Sequence, residues 1–166
     1  MALQKHVQVI LPALEDALRQ FVRRSLPGNF QELNAMVAYH MGWEGEGAGP
    51  EAQGKRIRPL LALLSCEAAG GDWQRALPAG VAVELLHNFS LIHDDIQDNS
   101  PLRRGRPTVW VKWGVAQAIN TGDVLFTLAF QSIQDLGQAL PPEDVLLASR
   151  ILQETCLQLT GGQYLD

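Results

Sequence analysis

Three carboxylates close an apolar stretch, Leu85-Leu86-His87-Asn88-Phe89-Ser90-Leu91-Ile92-His93-Asp94-Asp95-Ile96-Gln97-Asp98. Asp94 and Asp98 are four residues apart, so on a helix they share a face one turn from each other, with Asp95 about 100° round the axis. Like charges at that spacing destabilise a helix by about 0.2–0.5 kcal/mol. The pattern therefore asks for a cation between them. Oxygen donors with no His or Cys at ligand spacing suit Mg²⁺ better than Zn²⁺. Mg²⁺ takes one or two protein carboxylates and completes its shell with water and substrate phosphate. A solvated acidic helix end would carry the same spacing. The next residues tip the balance. Ser100-Pro101-Leu102-Arg103-Arg104-Gly105-Arg106-Pro107-Thr108 sets three arginines just past the acids. A metal-ready acidic turn beside a basic turn is a diphosphate clamp, with metal on one side of the anion and guanidinium forks on the other.

A second basic cluster, Gly54-Lys55-Arg56-Ile57-Arg58-Pro59, precedes an apolar helical run. Pro59 suits the first position of that helix. Lys55 and Arg58 then lie at its positive dipole end, a second place to hold a diphosphate; a capped helix with surface basic residues reads the same way. Glu84, His87, Leu91, Asp94 and Asp98 follow three- and four-residue steps and share a face too polar for pure core, so that face lines a cavity. Phe89 lies five residues before Asp94, about 7.5 Å down the axis. It reads as core or as the floor of a pocket for an apolar tail, with Ser90 one turn from Asp94.

Helices position all of these groups. Val7, Ile10, Leu11, Leu14, Leu18, Phe21 and Val22 recur at helical spacing and predict a helix over 2–25, with Pro12 kinking or breaking it. Leu26-Pro27-Gly28-Asn29 is a turn and 30–41 a shorter helix. Residues 42–53, rich in Gly and Glu, read as a mobile loop inside one domain spanning 1–166. The acidic turn sits on a helix from Ala76 to Asn99. Val109 to Asn120 and Thr121 to Gly137 read as two further helices, with Asp123 capping the second. A last helix starts at Pro141-Pro142 and runs through Gly162-Gln163-Tyr164-Leu165-Asp166. No strand is predicted.

Composition narrows the class. Hydrophobic residues make up 46% and charged residues 19% of the 166, which is globular rather than disordered. A net charge of −5 gives no support for a nucleic-acid partner. Cys66 and Cys156, isolated in apolar helical patterns, read as buried thiols of a reducing cytoplasm. The first residues are amphipathic and carry Glu15 and Asp16, unlike a signal peptide. No apolar run is long enough to span a membrane.

Taken together, Gly54–Pro59, Leu86–Asp98, Arg103-Arg104-Gly105, Gly122-Asp123 and Gly162–Asp166 resemble, in the same order, the motifs of the trans-isoprenyl diphosphate synthases (polyprenyl synthetases). The resemblance implies an all-α antiparallel helical bundle around a central cavity, in a homodimer. It implies Mg²⁺-dependent condensation of isopentenyl diphosphate with an allylic diphosphate to a short-chain (C15–C20) product. Asp94, Asp95, Asp98 and Arg103 match the catalytic motif, where Asp94 and Asp98 bind Mg²⁺ and Arg103 meets the allylic diphosphate. Lys55, Arg58, His87 and Arg104 match the isopentenyl diphosphate pocket. Gln163 and Asp166 match polar groups further along the cavity, and Phe89 and Ser90 match positions that set product length. The absence of an insertion between Asp95 and Asp98, with an aromatic at 89, resembles geranylgeranyl more than bacterial farnesyl types.

The family's second aspartate-rich motif is missing from this sequence. The chain therefore reads as the N-terminal half of the fold, incomplete at its C-terminal end, and is expected to be inactive or nearly so by itself. Two other classes compete. A non-catalytic partner subunit of a heteromeric synthase would be expected to lose its carboxylates or arginines, which are kept here. A class I terpene cyclase has no second diphosphate to hold, and so no use for Gly54–Pro59 and the Arg pair. Phe89→Ala is expected to lengthen the product; an unchanged distribution in a product-length assay would refute that assignment.

Overall fold

The computed structural model describes residues 2–165. Eight α-helices account for most of them: α1 Ala2–Ser25, α2 Gln31–His40, α3 Pro50–Gln53, α4 Ile57–Ala68, α5 Leu77–Gln97, α6 Val109–Trp113, α7 Val115–Gln134 and α8 Pro142–Leu165. A 3-10 turn, Asp135–Gln138, follows α7. The fold is all-α, as the helical periods predict.

At the centre is α5. It packs along α7 over most of its length, with α4 and α1 on its other sides. The reason is compositional: Val81, Ala82, Leu85, Leu86 and Ile92 are all buried. Each of the larger aliphatic side chains, alanine apart, contributes about 1.5–3 kcal/mol of apolar burial. From α1, Ile10, Leu14, Leu18, Phe21 and Val22 join the same core, the stripe read from the sequence. The last helix, α8, leans on α7 and the 3-10 turn rather than on α5. A cleft is left between α5 and α8.

The end of α5 folds the basic residues back over the acidic ones. Asn99 adopts a left-handed φ of 52°. The Ser100 N–H donates to Asp95 O at 2.9 Å and the Asn99 N–H to Ile96 O at 3.2 Å. This is the Schellman closure of a helix C-terminus. The chain then makes a small hairpin that the sequence reading did not include: β1 Leu102–Arg103 pairs antiparallel with β2 Arg106–Pro107. Its two-residue loop, Arg104-Gly105, has φ of 52° and 76°, the sign that a type I′ turn requires at both positions.

Several sequence boundaries are corrected. Assigned helix runs through Pro12, which lies on the exposed side of α1. Pro59 is the third residue of α4, not the first, and Arg56 is the N-cap at φ 48°. All of the first turn's N–H groups lack helical acceptors, so proline is tolerated there too. Residues 42–53 include the short helix α3. The break expected at Thr121-Gly122-Asp123 lies instead at Gly114, whose φ of 85° ends α6 and opens α7. Asp123 is therefore inside α7 and caps nothing. The two cysteines are free.

Gly122 has a packing role. A Cβ there would stand 2.4 Å from His93 Nε2. The His93 ring packs tilted against Phe89, 4.6 Å between centroids, and its Nε2 lies 3.6 Å from Asp123 Oδ1. Ala would add about 1 kcal/mol of helix propensity, but overpacking at a site held on two sides costs about 1–3 kcal/mol. Gly122→Ala is therefore expected to lower stability in urea unfolding at unchanged m-value; a stabilised variant would show that the ring moves aside freely.

Candidate active site

The acidic turn divides its three carboxylates among three environments. Asp95 is buried at 2% exposure. Arg103, delivered by the hairpin, donates its Nε to both carboxylate oxygens of Asp95 at 2.8 and 3.0 Å. Asp98 is the exposed C-cap residue of α5. Asp94 faces the cleft between α5 and α8, where Gln163 Nε2 donates to its Oδ1 at 2.5 Å.

That cleft has a volume of about 600 Å³. Its polar lining includes Arg58, His87, Ser90, Asp94 and Gln163. Arg58 Nη1 lies 3.3 Å from His87 Nε2. Apart from Thr155 the remaining lining is apolar, with Val83, Leu86 and Leu91 from α5 and Ile151, Leu152 and Leu159 from α8. Five of the sequence-selected residues, drawn from three helices remote in sequence, thus share one opening.

Others stand elsewhere. Lys55 is exposed beside the cleft-lining Arg58 turn but is not among the lining residues. Arg103 and Arg104 border a separate, nearly closed space of about 20 Å³ with His40 and Asp95. Arg104 Nη1 donates to Ala52 O at 2.7 Å, tying the hairpin to α3. Phe89 packs on α7 against Phe126, 4.9 Å between centroids, and is not among the cleft-lining residues. Asp166 lies outside the described residues.

The third arginine of the basic turn is not a ligand group at all. Arg106 is buried and donates to the carbonyls of Tyr39, Glu44 and Glu46 at 2.7, 2.7 and 2.9 Å. It lies 3.9 Å over the Tyr39 ring. Arg56 was likewise hidden among its basic neighbours; its side chain is only 5% exposed and is paired with Glu15 and Glu84. No periodic signal marks either residue. The one local hint is position 56 itself, a basic residue between two others that a helix N-terminus does not need.

Electrostatics follow from burial. It raises Asp94 above the usual carboxylate range, against the pull of Arg103 and with the push of Asp98. Asp95 is raised as well, burial again outweighing Arg103. Burial and then the Arg58 charge push the His87 imidazole down to about 4. Burial, followed by Arg104 and Arg103, pushes His40 down to about 3, and its Nε2 is buried without a hydrogen-bond partner. Both imidazoles are neutral at pH 7, and His87 accepts from Arg58.

Among the described residues, no three His, Cys, Asp or Glu side chains converge into a preformed metal cage. The donor set still fits Mg²⁺. Two hard carboxylates, Asp94 and Asp98, stand one helical turn apart, and this ion is content with one or two protein ligands when phosphate supplies the rest.

Residues 49–166 match the family model described as "Polyprenyl synthetase". The chain is 47% identical over 116 residues to the geranylgeranyl diphosphate synthase of Methanosarcina mazei, covering 70% of this chain and 35% of that protein. It is 41% identical over 151 residues to the (2E,6E)-farnesyl diphosphate synthase of Mycobacterium bovis, covering 90% and 40%. The crystal structure of geranylgeranyl pyrophosphate synthetase from Pyrococcus horikoshii superposes with a TM-score of 0.83 at 33% identity, over 96% of this chain and 45% of that one. The chain thus spans about two fifths of the length of the curated relatives it matches.

Two neutral imidazoles give a pH dependence of known sign. In the unfolded chain each His takes its proton near pH 6.5, well above the folded values. The unfolded state therefore binds more protons as pH falls below 6.5, and stability drops toward pH 4. The raised carboxyls, Asp94 and Asp95, oppose this by gaining protons early in the folded state. The melting temperature is expected to fall between pH 6.5 and 4.5, and to fall less steeply in His40→Phe; equal slopes would place His40 outside the balance.

Proposed function

The chain belongs to the polyprenyl synthetase family, and on that premise we propose that it forms part of a Mg²⁺-dependent prenyltransferase joining isopentenyl diphosphate to an allylic diphosphate. The product is a short-chain isoprenyl diphosphate of farnesyl to geranylgeranyl length, in keeping with the names of both relatives. One observation carries the reading: Arg58, His87, Asp94 and Gln163 line a single cleft whose other lining residues are mostly apolar. An amphiphile with an anionic head and a hydrocarbon tail matches both kinds of lining.

Each residue has a part in the chemistry. The allylic C–O bond breaks with its electron pair leaving on pyrophosphate. The cation is attacked by the C=C of isopentenyl diphosphate, and the new cation loses a proton to the released pyrophosphate. Bound through Asp94 and Asp98, Mg²⁺ would neutralise charge on the departing diphosphate. Arg58 and the exposed Lys55 supply positive charge to the second diphosphate, and neutral His87 orients Arg58. Arg104 lies outside the cleft lining, but its guanidinium packs against Gly54 beside Lys55, and the family resemblance assigns it to the same diphosphate. Arg103 holds Asp95 in place and stands beside the allylic diphosphate. The leucine-lined wall keeps water from the cation. No side-chain nucleophile is called for.

Product length is assigned to Ser90, which lines the cleft, and to its neighbour Phe89, which packs α5 against Phe126 of α7. A homodimer accompanies the assignment, for which the exposed apolar side chains of Phe30, Val115 and Ile119 supply surface. No helix among the described residues is long and apolar enough to cross a membrane.

Titration with inorganic pyrophosphate tests the reading. Binding is expected to require Mg²⁺ and to weaken about tenfold or more, some 1.4 kcal/mol, in the Asp94→Asn/Asp98→Asn variant. Metal-independent binding, or equal affinity in that variant, would overturn it.

A further inference from the structure

Arg56 stands between two basic residues assigned to substrate and does nothing of the kind itself. Its Nε donates to Glu15 Oε2 at 3.1 Å, its Nη1 to Glu84 Oε1 at 2.7 Å and its Nη2 to Met41 O at 3.3 Å. Glu84 is 2% exposed and takes a further hydrogen bond from Asn88 Nδ2 at 2.8 Å. Glu15 also accepts from Trp43 Nε1. A cation is thus buried between two carboxylates from different helices, α1 and α5. It is carried on a backbone at φ 48°, a conformation that residues other than glycine seldom adopt. Burying charge in this way is poor design for stability alone, since well-packed apolar groups commonly do as well or better.

The geometry points to another use. Glu84 and His87 are three residues apart on α5 and share a face. Arg56 and Arg58 are two residues apart at the opening of α4. Arg56 grips Glu84 while Arg58 meets His87 at 3.3 Å. The turn is therefore pinned to α5 at two points, one buried and one at the cleft.

We propose that Arg56 and Glu84 are positioning residues for the diphosphate-binding turn: their buried contact sets the backbone from which Arg58 reaches the cleft. This rests on the cleft being a diphosphate site. Substrate would meet Arg58 and Lys55, while the pair beneath keeps Arg58 at His87 when the anion is absent. A lysine at 56, with one ammonium, could not reach Glu15, Glu84 and the Met41 carbonyl together in the planar fork that Arg56 uses.

A double-mutant cycle read by isopentenyl diphosphate binding, measured by titration calorimetry on proteins shown folded by circular dichroism, tests this. Wild type is expected to bind. Glu84→Gln is expected to bind about tenfold more weakly, within the hundredfold that a misplacement of about 1 Å can cost. In an Arg58→Ala background the same change is expected to cost nothing further, because the group it positions is gone. Should Glu84→Gln fail to fold, the volume-filling pair Arg56→Met/Glu84→Leu replaces it in both backgrounds with the same expectation. Undiminished binding, or a loss that adds fully to that of Arg58→Ala, would reduce the pair to a structural element and overturn the proposal. Absence of binding by wild type would instead strike the diphosphate reading itself, and this inference with it.

Discussion

Charge carried into a low-dielectric interior must be met by opposite charge, and this constraint arranges the whole acidic side of α5. Glu84 and Asp95 are each 2% exposed. Glu84 takes a hydrogen bond from Asn88 on the same helix, but α5 carries no lysine or arginine to neutralise either acid. Each is answered by an arginine from a segment that folds back onto α5: Arg56 from the turn before α4, and Arg103 from the hairpin after α5. Removing one member of such a pair strands the other, which is why buried pairs are far more costly to break than to omit. The folding of those two segments and the ionisation of α5 are thus one problem with one solution.

With Glu84 and Asp95 satisfied internally, Asp94 remains for the cleft. Its neighbour in sequence is locked and its neighbour one turn on, Asp98, is exposed. The three acids look equivalent as letters. In space they differ because a helix turns about 100° per residue, so adjacent positions face different media. Gln163 arrives from the far end of α8 to touch Asp94. The cleft is consequently framed by residues as distant in sequence as Arg58 and Gln163, with α5 as the shared wall.

The helical parts of this arrangement were legible because apolar residues recur at a fixed period, as at Ile10, Leu14 and Leu18. The acidic turn was legible for the same reason. The hairpin was not, since two-residue strands have no period to read, and its positive-φ loop includes a non-glycine, Arg104. The helix boundary near Gly122 was misplaced because glycine commonly ends helices; here it makes room for His93, a contact between α5 and α7 that no local pattern encodes. In the sequence Arg106 reads with Arg103 and Arg104 as part of a diphosphate clamp, and Arg56 with Lys55 and Arg58 as part of a second basic cluster. Which guanidinium faces solvent and which turns inward depends on carboxylates and carbonyls distant in sequence, Glu84 in one case and Tyr39 in the other.

Besides lying over the Tyr39 ring, Arg106 holds the end of α2 and the segment after it through main-chain oxygens. A grip on carbonyls is blind to side-chain identity. Lineages of this chain are then free to drift at Glu44 and Glu46 without loosening the strap, whereas the arginine that fastens it is fixed by geometry. Variation across one short stretch and invariance at a single distant residue would be two faces of the same contact.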